Sequence, residues 1–358
     1  MDSGVVGIGD LAVRSTGDDY DLGHHGDSEV GEGLIDLAVN VRMSAPPDWL
    51  LHQLRESLST LAAYPDTAAA VAAIAARHHR EPDEVVPTAG GAEAFGLLAA
   101  ALRPRHAVVI HPQFTEPEAA LRAAGHSVQR VELDAATGFT LQPAAIPPEA
   151  DLVFVGNPTN PTSTLHPAAV VQELCAPGRV VVVDEAFADA VPGEPESLAS
   201  SAIPGLVVLR SLTKTWGIAG LRAGYVLAEP TVADRLRAVQ PPWSVSTPAA
   251  TAMTACSQPG AVRAADTLAR AAESDRDVLV TGLRRLGVEV AGTPRAPFVL
   301  IRLHDGAAVR ERLRAAGYAL RRCDTFPGLD SDWLRIAVRD QETSRGLLAA
   351  LSEILERD

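Results

Sequence analysis

Between about residues 50 and 245, short apolar runs alternate along the chain with longer alanine-rich segments of helical period. Strand-like runs separated by helical segments are typical of βαβ units, which place parallel strands in one sheet with helices on its faces. The candidate strands are DEVVPT, HAVVIHP, SVQRVEL, DLVFVGN, RVVVVDE, LVVLRS and AGYVLAE, and the clearest helices are TAAAVAAIAARHH and AEAFGLLAAAL. We therefore predict an α/β fold with a mostly parallel, seven-stranded sheet.

This alternation ends at QPPWSVSTPAA, residues 240–250, which contain three prolines. Beyond it, a long helical segment at about 251–286, the runs FVLIRL and LRIAVR, and two further helical segments indicate a smaller α+β domain. The first 35 or so residues, rich in Gly and Asp, look like an extended arm. We predict an N-terminal arm at 1–45, a large domain at 46–245 and a small C-terminal domain at 246–358.

Composition and charge exclude several classes of protein. No apolar run approaches the roughly 18 residues of a membrane span, and the formal net charge of -14 argues against a nucleic-acid partner. The three cysteines lie far apart, the N-terminus lacks a secretory signal pattern, and the neighbouring histidine pairs lack metal-ligand spacing. We expect a cytoplasmic protein that binds neither a membrane nor a metal.

Four loops follow directly after candidate strands and carry the chemically distinctive residues. They are TAGGAEAF after DEVVP, NPTNPTS after DLVFVG, DEAFAD after VVVV, and SLTKTW after LVVLR. Ligands of an open parallel sheet bind outside the carboxyl ends of the strands, where such loops converge. We expect the four loops to form one site.

The loops SLTKTW and DEAFAD contribute Lys214 and Asp184. Lysine is rare in this chain, and an amine can lose its proton whereas a guanidinium cannot. An amine for an aldehyde and a carboxylate for a pyridinium nitrogen are what pyridoxal 5'-phosphate requires of a protein. Taken alone, Asp184 would more often be a helix cap, but the lysine after the next strand favours the catalytic interpretation.

A phosphate site is predicted from the same loops. Free backbone N–H groups at the start of a helix, together with a guanidinium and hydroxyl groups, can bind a phosphate. Taken alone, the two glycines could be a plain turn. The candidate phosphate ligands are Gly90, Gly91, Ala92, Glu93, Ser211, Thr213 and Arg222.

The chain resembles the fold-type I pyridoxal-phosphate enzymes over nearly its whole length, and is similar in particular to histidinol-phosphate aminotransferases and threonine-phosphate decarboxylases. SLTKTWGIAGLRAG resembles the family's lysine segment, NPTNPTS its asparagine loop, VVDEAF its aspartate strand, and LRIAVR its substrate-arginine strand. Four such motifs in the family's order are a far stronger signal than any one of them.

The resemblance implies further cofactor contacts. Asn160 is expected to bond the O3′ of the cofactor, and Phe114 to stack on its pyridine ring. Tyr64, in AAYPD, is expected to reach the phosphate of the neighbouring subunit's cofactor. A homodimer follows from that last contact.

The resemblance also implies a small phosphorylated amino-acid substrate. Arg335 is expected to bind the substrate carboxylate and Arg321 the substrate phosphate, although both could instead be ordinary charges on surface strands. Which of Arg321, Arg322 and Arg339 meets the phosphate stays open at this point. His25 and Asn40, in the arm, are further candidate substrate contacts.

The reaction that we favour from the sequence is decarboxylation of threonine phosphate, in cobalamin biosynthesis. HHGDSEVGEGLIDLAVNV, PPWSV and DEAF, where aminotransferases usually have DEAY, resemble the decarboxylases more closely. The alternative is an aminotransferase of the histidinol-phosphate type. A second alternative is a non-catalytic effector-binding protein, but the segment of about 35 residues before the main domain, which is Gly-rich and acidic overall, is too short and of the wrong charge for a DNA-binding helix-turn-helix.

Overall fold

Two β-sheets organise residues 20–356, which are the part of the chain that this computed structural model describes. The strands are β1 Ile35–Leu37, β2 Val85–Thr88, β3 Ala107–His111, β4 Val128–Glu132, β5 Leu152–Gly156, β6 Val180–Asp184, β7 Leu206–Ser211, β8 Gly224–Leu227, β9 Glu289–Val290, β10 Phe298–Arg302, β11 Tyr318–Arg322 and β12 Trp333–Ala337. The α-helices are α1 Asp48–Ser57, α2 Ala68–His78, α3 Gly90–Leu102, α4 Glu116–Ala123, α5 Ala168–Gln172, α6 Pro230–Val239, α7 Thr247–Cys256, α8 Pro259–Arg285, α9 Gly306–Ala315 and α10 Gln341–Leu355.

The larger sheet has the strand order β2-β8-β7-β6-β5-β3-β4. Strands β3 to β7 pair in parallel, while β8 runs antiparallel to both of its neighbours. Each of the seven predicted runs forms one of these strands, so the predicted mostly parallel, seven-stranded sheet is confirmed. Inner strands such as β6 (VVVVD) are β-branched and apolar on both faces, as strands covered by helices must be, whereas the edge strand β4 (VQRVE) is more polar.

Helices cover both faces of this sheet. Alternate residues of β6 show the two layers, because Val181 and Val183 pack into one apolar cluster and Val182 packs into another. The first cluster includes residues of α1, α2 and α7, and the second includes residues of α3, α4 and α6. Strand side chains point to opposite faces in turn, so both layers exclude water from the strands.

The long helical segment predicted at about 251–286 is two helices, α7 and α8, and not one. Pro259 is the first residue of α8. Proline has no N–H and its ring would clash with a preceding helical turn, so it starts a helix far more readily than it continues one.

The smaller sheet has the order β1-β11-β12-β10-β9. Its edge strand β1 comes from the predicted arm and pairs in parallel with β11, with Ile35 opposite Tyr318. The arm therefore joins the C-terminal sheet, although residues 1–19 of the predicted arm lie outside the described part. The boundaries at 45/46 and 245/246 stay predictions. Within residues 20–356, the helices are too short or too polar to cross a membrane.

Candidate active site

A cavity of about 440 Å³ lies where β5, β6 and β7 end. Gly156 pairs with Asp184, and Asp184 pairs with Leu209, so these three residues stand side by side at one edge of the sheet and all line the cavity. The arm and the arginines of β11 and β12 form the opposite wall. The parallel register thus brings together loops that are far apart in sequence.

Lys214 follows β7 and reaches into the cavity. It is the only lysine among the 358 residues, so the amine chemistry of the side chains is confined to one position. Burial lowers the pKa of the Lys214 amine, and the guanidinium charges of Arg222 and Arg335 lower it further. Such an amine gives up its proton more readily than a solvated lysine.

Asp184 is the last residue of β6 and faces the same cavity. Burial raises the pKa of its carboxyl to about 6, although a hydrogen bond from the Ala186 N–H (3.0 Å) and the charge of Lys214 act in the opposite direction. A buried carboxylate of this kind gains more from a cationic partner than a solvated one does. It therefore suits the ring nitrogen of a bound pyridinium.

The start of α3 and Arg222 form the phosphate-sized end of the cavity. Gly90 has a φ of +81°, and a Cβ on it would lie 2.7 Å from Arg222 Nη2. Only glycine fits there, because a side chain would be strained and would displace the guanidinium. Ser211 Oγ and Thr213 Oγ1 lie 2.7 Å apart beside this end. Helix N–H groups, hydroxyls and one cation converge, as anion binding requires.

Phe114 and Asn160 line the middle of the cavity. Phe114 is half-buried and packs against Phe95 with 6.2 Å between ring centroids. The Asn160 side-chain oxygen accepts a hydrogen bond of 2.5 Å from Arg335 Nη1. The aromatic ring of Phe114 and the oriented amide of Asn160 therefore both face the cavity.

Arg321 and Arg335 are directly opposite each other on the paired strands β11 and β12. They are only 2% and 4% exposed, so the alternative of ordinary surface charges is wrong for both. Arg321 donates hydrogen bonds to the carbonyl of His24 and the hydroxyl of Thr325, each of 2.7 Å. Arg335 Nε has no hydrogen-bond partner among the described residues. A buried N–H of this kind calls for an anion or another acceptor.

Two of the predicted site residues, Glu93 and Arg339, are placed differently, and the role of a third, Tyr64, is not tested by a single chain. The Glu93 carboxylate accepts a hydrogen bond from the N–H of Ala89, so only the backbone of Glu93 is available to a phosphate. Arg339 does not line the cavity in the described part of the chain, because its guanidinium donates to the Val39 carbonyl (2.8 Å). Tyr64 is 74% exposed in the single chain, and its contact across a dimer stays a prediction.

The cavity also contains residues that the motifs did not indicate. The expected residue His25 lines the cavity as well, and its imidazole lies 2.7 Å from the carboxylate of Glu116 in α4. Asp27 and Phe326 line the same wall. In the sequence, Asp27 lies near His25 and Phe326 lies near Arg321, and this proximity was the only feature that could have indicated them. Within residues 20–356, no cluster of three or more His, Cys, Asp or Glu side chains could hold a metal ion.

The site fits pyridoxal phosphate group by group. A single lysine faces the aldehyde position, a buried carboxylate suits the ring nitrogen, and the glycine-lined end beside Arg222 suits the phosphate. The fold and this site define a pyridoxal-phosphate enzyme of fold type I.

The chain belongs to the family of class I and II aminotransferases, whose model matches residues 32–351. Members of this family use pyridoxal phosphate. The predicted family, fold, cofactor and enzymatic nature are therefore confirmed.

Relatives carry two different names. The chain is 48% identical over 337 residues, 93% of this chain and 91% of the other, to a histidinol-phosphate aminotransferase of Mycobacterium tuberculosis (strain ATCC 25618 / H37Rv). It is 31% identical over 334 residues, 90% of this chain and 91% of the other, to the threonine-phosphate decarboxylase of Salmonella typhimurium. The crystal structure of the histidinol-phosphate aminotransferase from Clostridium acetobutylicum superimposes with a TM-score of 0.82 at 24% identity, covering 89% of this chain and 98% of the other. The last match supports the fold alone.

Proposed function

We propose that this protein is an aminotransferase of the histidinol-phosphate type, which acts as a homodimer in the cytoplasm and moves an amino group from a phosphorylated amine to a keto acid. The observation that carries the proposal is the 48% identity, over nearly the whole chain, to a relative of that name. The decarboxylase match is more distant. We therefore prefer the aminotransferase, which was the alternative in the sequence analysis, to the threonine-phosphate decarboxylase that the sequence analysis favoured.

The arginine wall supports a substrate that carries an anion. Histidinol phosphate has an amine and a phosphate, and a keto acid such as 2-oxoglutarate has carboxylates, so one anion site can serve both half-reactions in turn. The Nη atoms of both arginines already donate to protein oxygens. Arg335 is the candidate for direct contact because its Nε is buried without a hydrogen-bond partner among the described residues. A guanidinium can bind either anion through two parallel hydrogen bonds.

Lys214 and Asp184 have distinct proposed roles. When bound, the cofactor supplies an electron sink that makes the hydrogen on the amine-bearing carbon of the substrate removable. Lys214, whose amine pKa is lowered by burial, would accept that hydrogen as a proton and later return a proton. Asp184 would hold the proton on the ring nitrogen. Asn160 and Phe114 would orient the ring, and Asn40 and His25 would contact the substrate from the arm.

Decarboxylation of threonine phosphate is the second candidate because of one observation. Phe187 lines the cavity and packs edge-on against Phe298, with 5.0 Å between ring centroids. It cannot donate the phenol hydrogen bond that a tyrosine would give to the cofactor oxygen. The electronic tuning of the ring therefore differs from that of an aminotransferase with tyrosine in this position.

A paired assay tests the proposal. The purified protein, loaded with pyridoxal phosphate, is given histidinol phosphate with 2-oxoglutarate, and separately threonine phosphate. We expect glutamate from the first mixture and no CO2 from the second. CO2 without glutamate would replace the aminotransferase with the decarboxylase.

A labelling experiment addresses the non-catalytic alternative. Borohydride reduction of the loaded protein should fix the cofactor on one peptide that contains Lys214, since no other lysine exists to compete. The Lys214→Ala variant is the matched control, and none of its side chains should carry the reduced cofactor. A protein that stays colourless with added cofactor would not be an enzyme of this kind.

A further inference from the structure

A second, smaller cavity of about 140 Å³ adjoins the active site. Lys214 and Asn40 line both cavities, so the two spaces meet at the catalytic amine. The second cavity extends from there towards Arg42 and the α8 residue Ala272. No part of the proposed cofactor or substrate site requires it.

Three buried oxygen atoms without partners belong to residues of this cavity. Within the described part of the chain, Asn40 Oδ1, Asp189 Oδ1 and Thr215 Oγ1 make no hydrogen bond of full geometry, and these three residues are 7%, 4% and 9% exposed. Burial has the largest effect on the Asp189 carboxyl and raises its pKa, but the Thr215 hydroxyl is close enough to that carboxyl to act in the opposite direction. Leaving a buried polar atom unsatisfied costs about 1–3 kcal/mol, so three in one small space point to a ligand. Because the amide oxygen of Asn40 only accepts, that ligand has to donate at least one hydrogen bond.

Water matches both the chemistry and the size. One water occupies about 30 Å³ in the liquid, and it needs two to four polar partners to be held in a protein interior. A cavity of about 140 Å³ therefore has room for more than one. The apolar side, with Ala272 and Phe187, offers such waters no competing partner.

We propose that this cavity stores the water that amino-group transfer consumes, and that Thr215 and Asp189 position it beside Lys214. The inference rests on the proposed function. In the half-reaction the substrate's C–N bond breaks and its C=O bond forms with the oxygen of one water. The nitrogen would remain with the cofactor as an amine and Lys214 would be released as a free amine. The two hydrogens of the substrate amine and the two of the water end on these two amines, and the hydrogen of the substrate carbon ends on the cofactor carbon.

The proposal separates two steps that the same lysine serves. Removal of the hydrogen from the substrate carbon uses Lys214 as the base and consumes no water, whereas release of the keto product consumes one water. Decarboxylation of an amino acid consumes no water, so a water store has a role only in the transfer reaction. Loss of the Thr215 hydroxyl is therefore expected to slow one step and spare the other.

The test compares Thr215→Val, a substitution of nearly equal shape, with the wild type. Histidinol phosphate is incubated with each loaded enzyme in D2O, and the rate of deuterium uptake at the amine-bearing carbon is measured beside the rate of keto-product formation. We expect product formation to fall about tenfold, which corresponds to loss of one hydrogen bond to the water, while deuterium uptake is unchanged. A merely structural role would lower both rates together.

Ser257→Ala is the matched control, because Ser257 Oγ is also buried without a partner but lies outside both cavities. It should leave the ratio of the two rates at the wild-type value. A high-resolution crystal structure of the loaded enzyme provides an independent readout, with ordered water expected within hydrogen-bond distance of Thr215 Oγ1 and Asp189 Oδ1. A dry cavity, or an unchanged ratio in Thr215→Val, overturns this inference and leaves the aminotransferase proposal intact. Wild-type enzyme that neither exchanges hydrogen nor forms product overturns both.

Discussion

Arg210 offers a stability test of the structure behind the active site. It lies in β7, four residues before Lys214, and its Nη1 donates to the carboxylates of Glu185 (3.0 Å) and Glu194 (2.6 Å). Arg210 is only 2% exposed, and the side chain of Glu185 is fully buried. The Arg210→Met substitution keeps much of the side-chain volume and removes the charge, so the two carboxylates lose their buried cation.

The expected cost can be worked out from Glu194. Burial acts to raise the pKa of this carboxyl, but the charge of Arg210 and its hydrogen bond, with help from Arg77, lower it from 4.5 to about 2. A depression of that size corresponds to roughly 3 kcal/mol, and removing one partner of a buried ion pair typically costs about 3–5 kcal/mol. For 358 residues the entropy of unfolding is about 0.75 kcal/mol/K, so we expect the melting temperature to fall by about 4–7 °C.

The dependence on pH follows from the direction of the shift. The pKa of Glu194 is lower in the folded protein than in the unfolded chain, so its stabilising contribution is complete above about 4.5 and is lost as the pH falls towards about 2. The difference in melting temperature between wild type and Arg210→Met should therefore narrow in acid. Scanning calorimetry at neutral pH and at about pH 3, between the two pKa values, measures both differences.

The control is Arg270→Met, which removes an ion pair with Asp266 whose side chains are 65% and 36% exposed. Exposed pairs contribute about 0–1 kcal/mol, so this variant should melt close to the wild type. The reasoning is refuted if Arg210→Met melts no lower than Arg270→Met, or if the gap between wild type and Arg210→Met does not narrow in acid.

Three further substitutions test the proposed site. Asp184→Asn should lower turnover by about a hundredfold or more while the fold is kept, because an amide cannot hold the ring proton. The wild type is expected to lose cofactor affinity below about pH 6, where Asp184 takes up a proton. The Asp184→Asn variant should not show this pH dependence. Near-normal turnover would exclude this role. Gly90→Ala should weaken cofactor retention on dialysis about tenfold or more, since its Cβ would lie 2.7 Å from Arg222 Nη2 in a strained backbone; unchanged retention would show that the phosphate lies elsewhere. Arg335→Ala should raise the KM for histidinol phosphate about a hundredfold, the equivalent of a charge-assisted pair; an unchanged KM would contradict the anion site.

The seven strands and the loops that follow them could be predicted because both depend on local pattern. An apolar run bounded by turn residues forms a strand wherever it lies in the sheet, and the carboxyl ends of parallel strands meet at one edge. Lys214 and Asp184 end up in one cavity for that reason alone. The break between α7 and α8 also depends on a local feature, because Pro259 begins α8 and is visible in the sequence.

The wall opposite the lysine was decided by tertiary structure. LRIAVR does not reveal that Arg335 is buried opposite Arg321 while Arg339, four residues later, bonds the carbonyl of Val39. Burial of a cation is set by the register between strands that are distant in sequence and by acceptors that the fold brings near, and neither has a local pattern. Similarly, the strand β1 joins the C-terminal sheet only because β11 offers it a free edge. The small cavity beside Lys214 exists because α8, the arm and the loop after β6 leave a gap where they meet, and a gap between three distant segments has no trace in any one of them.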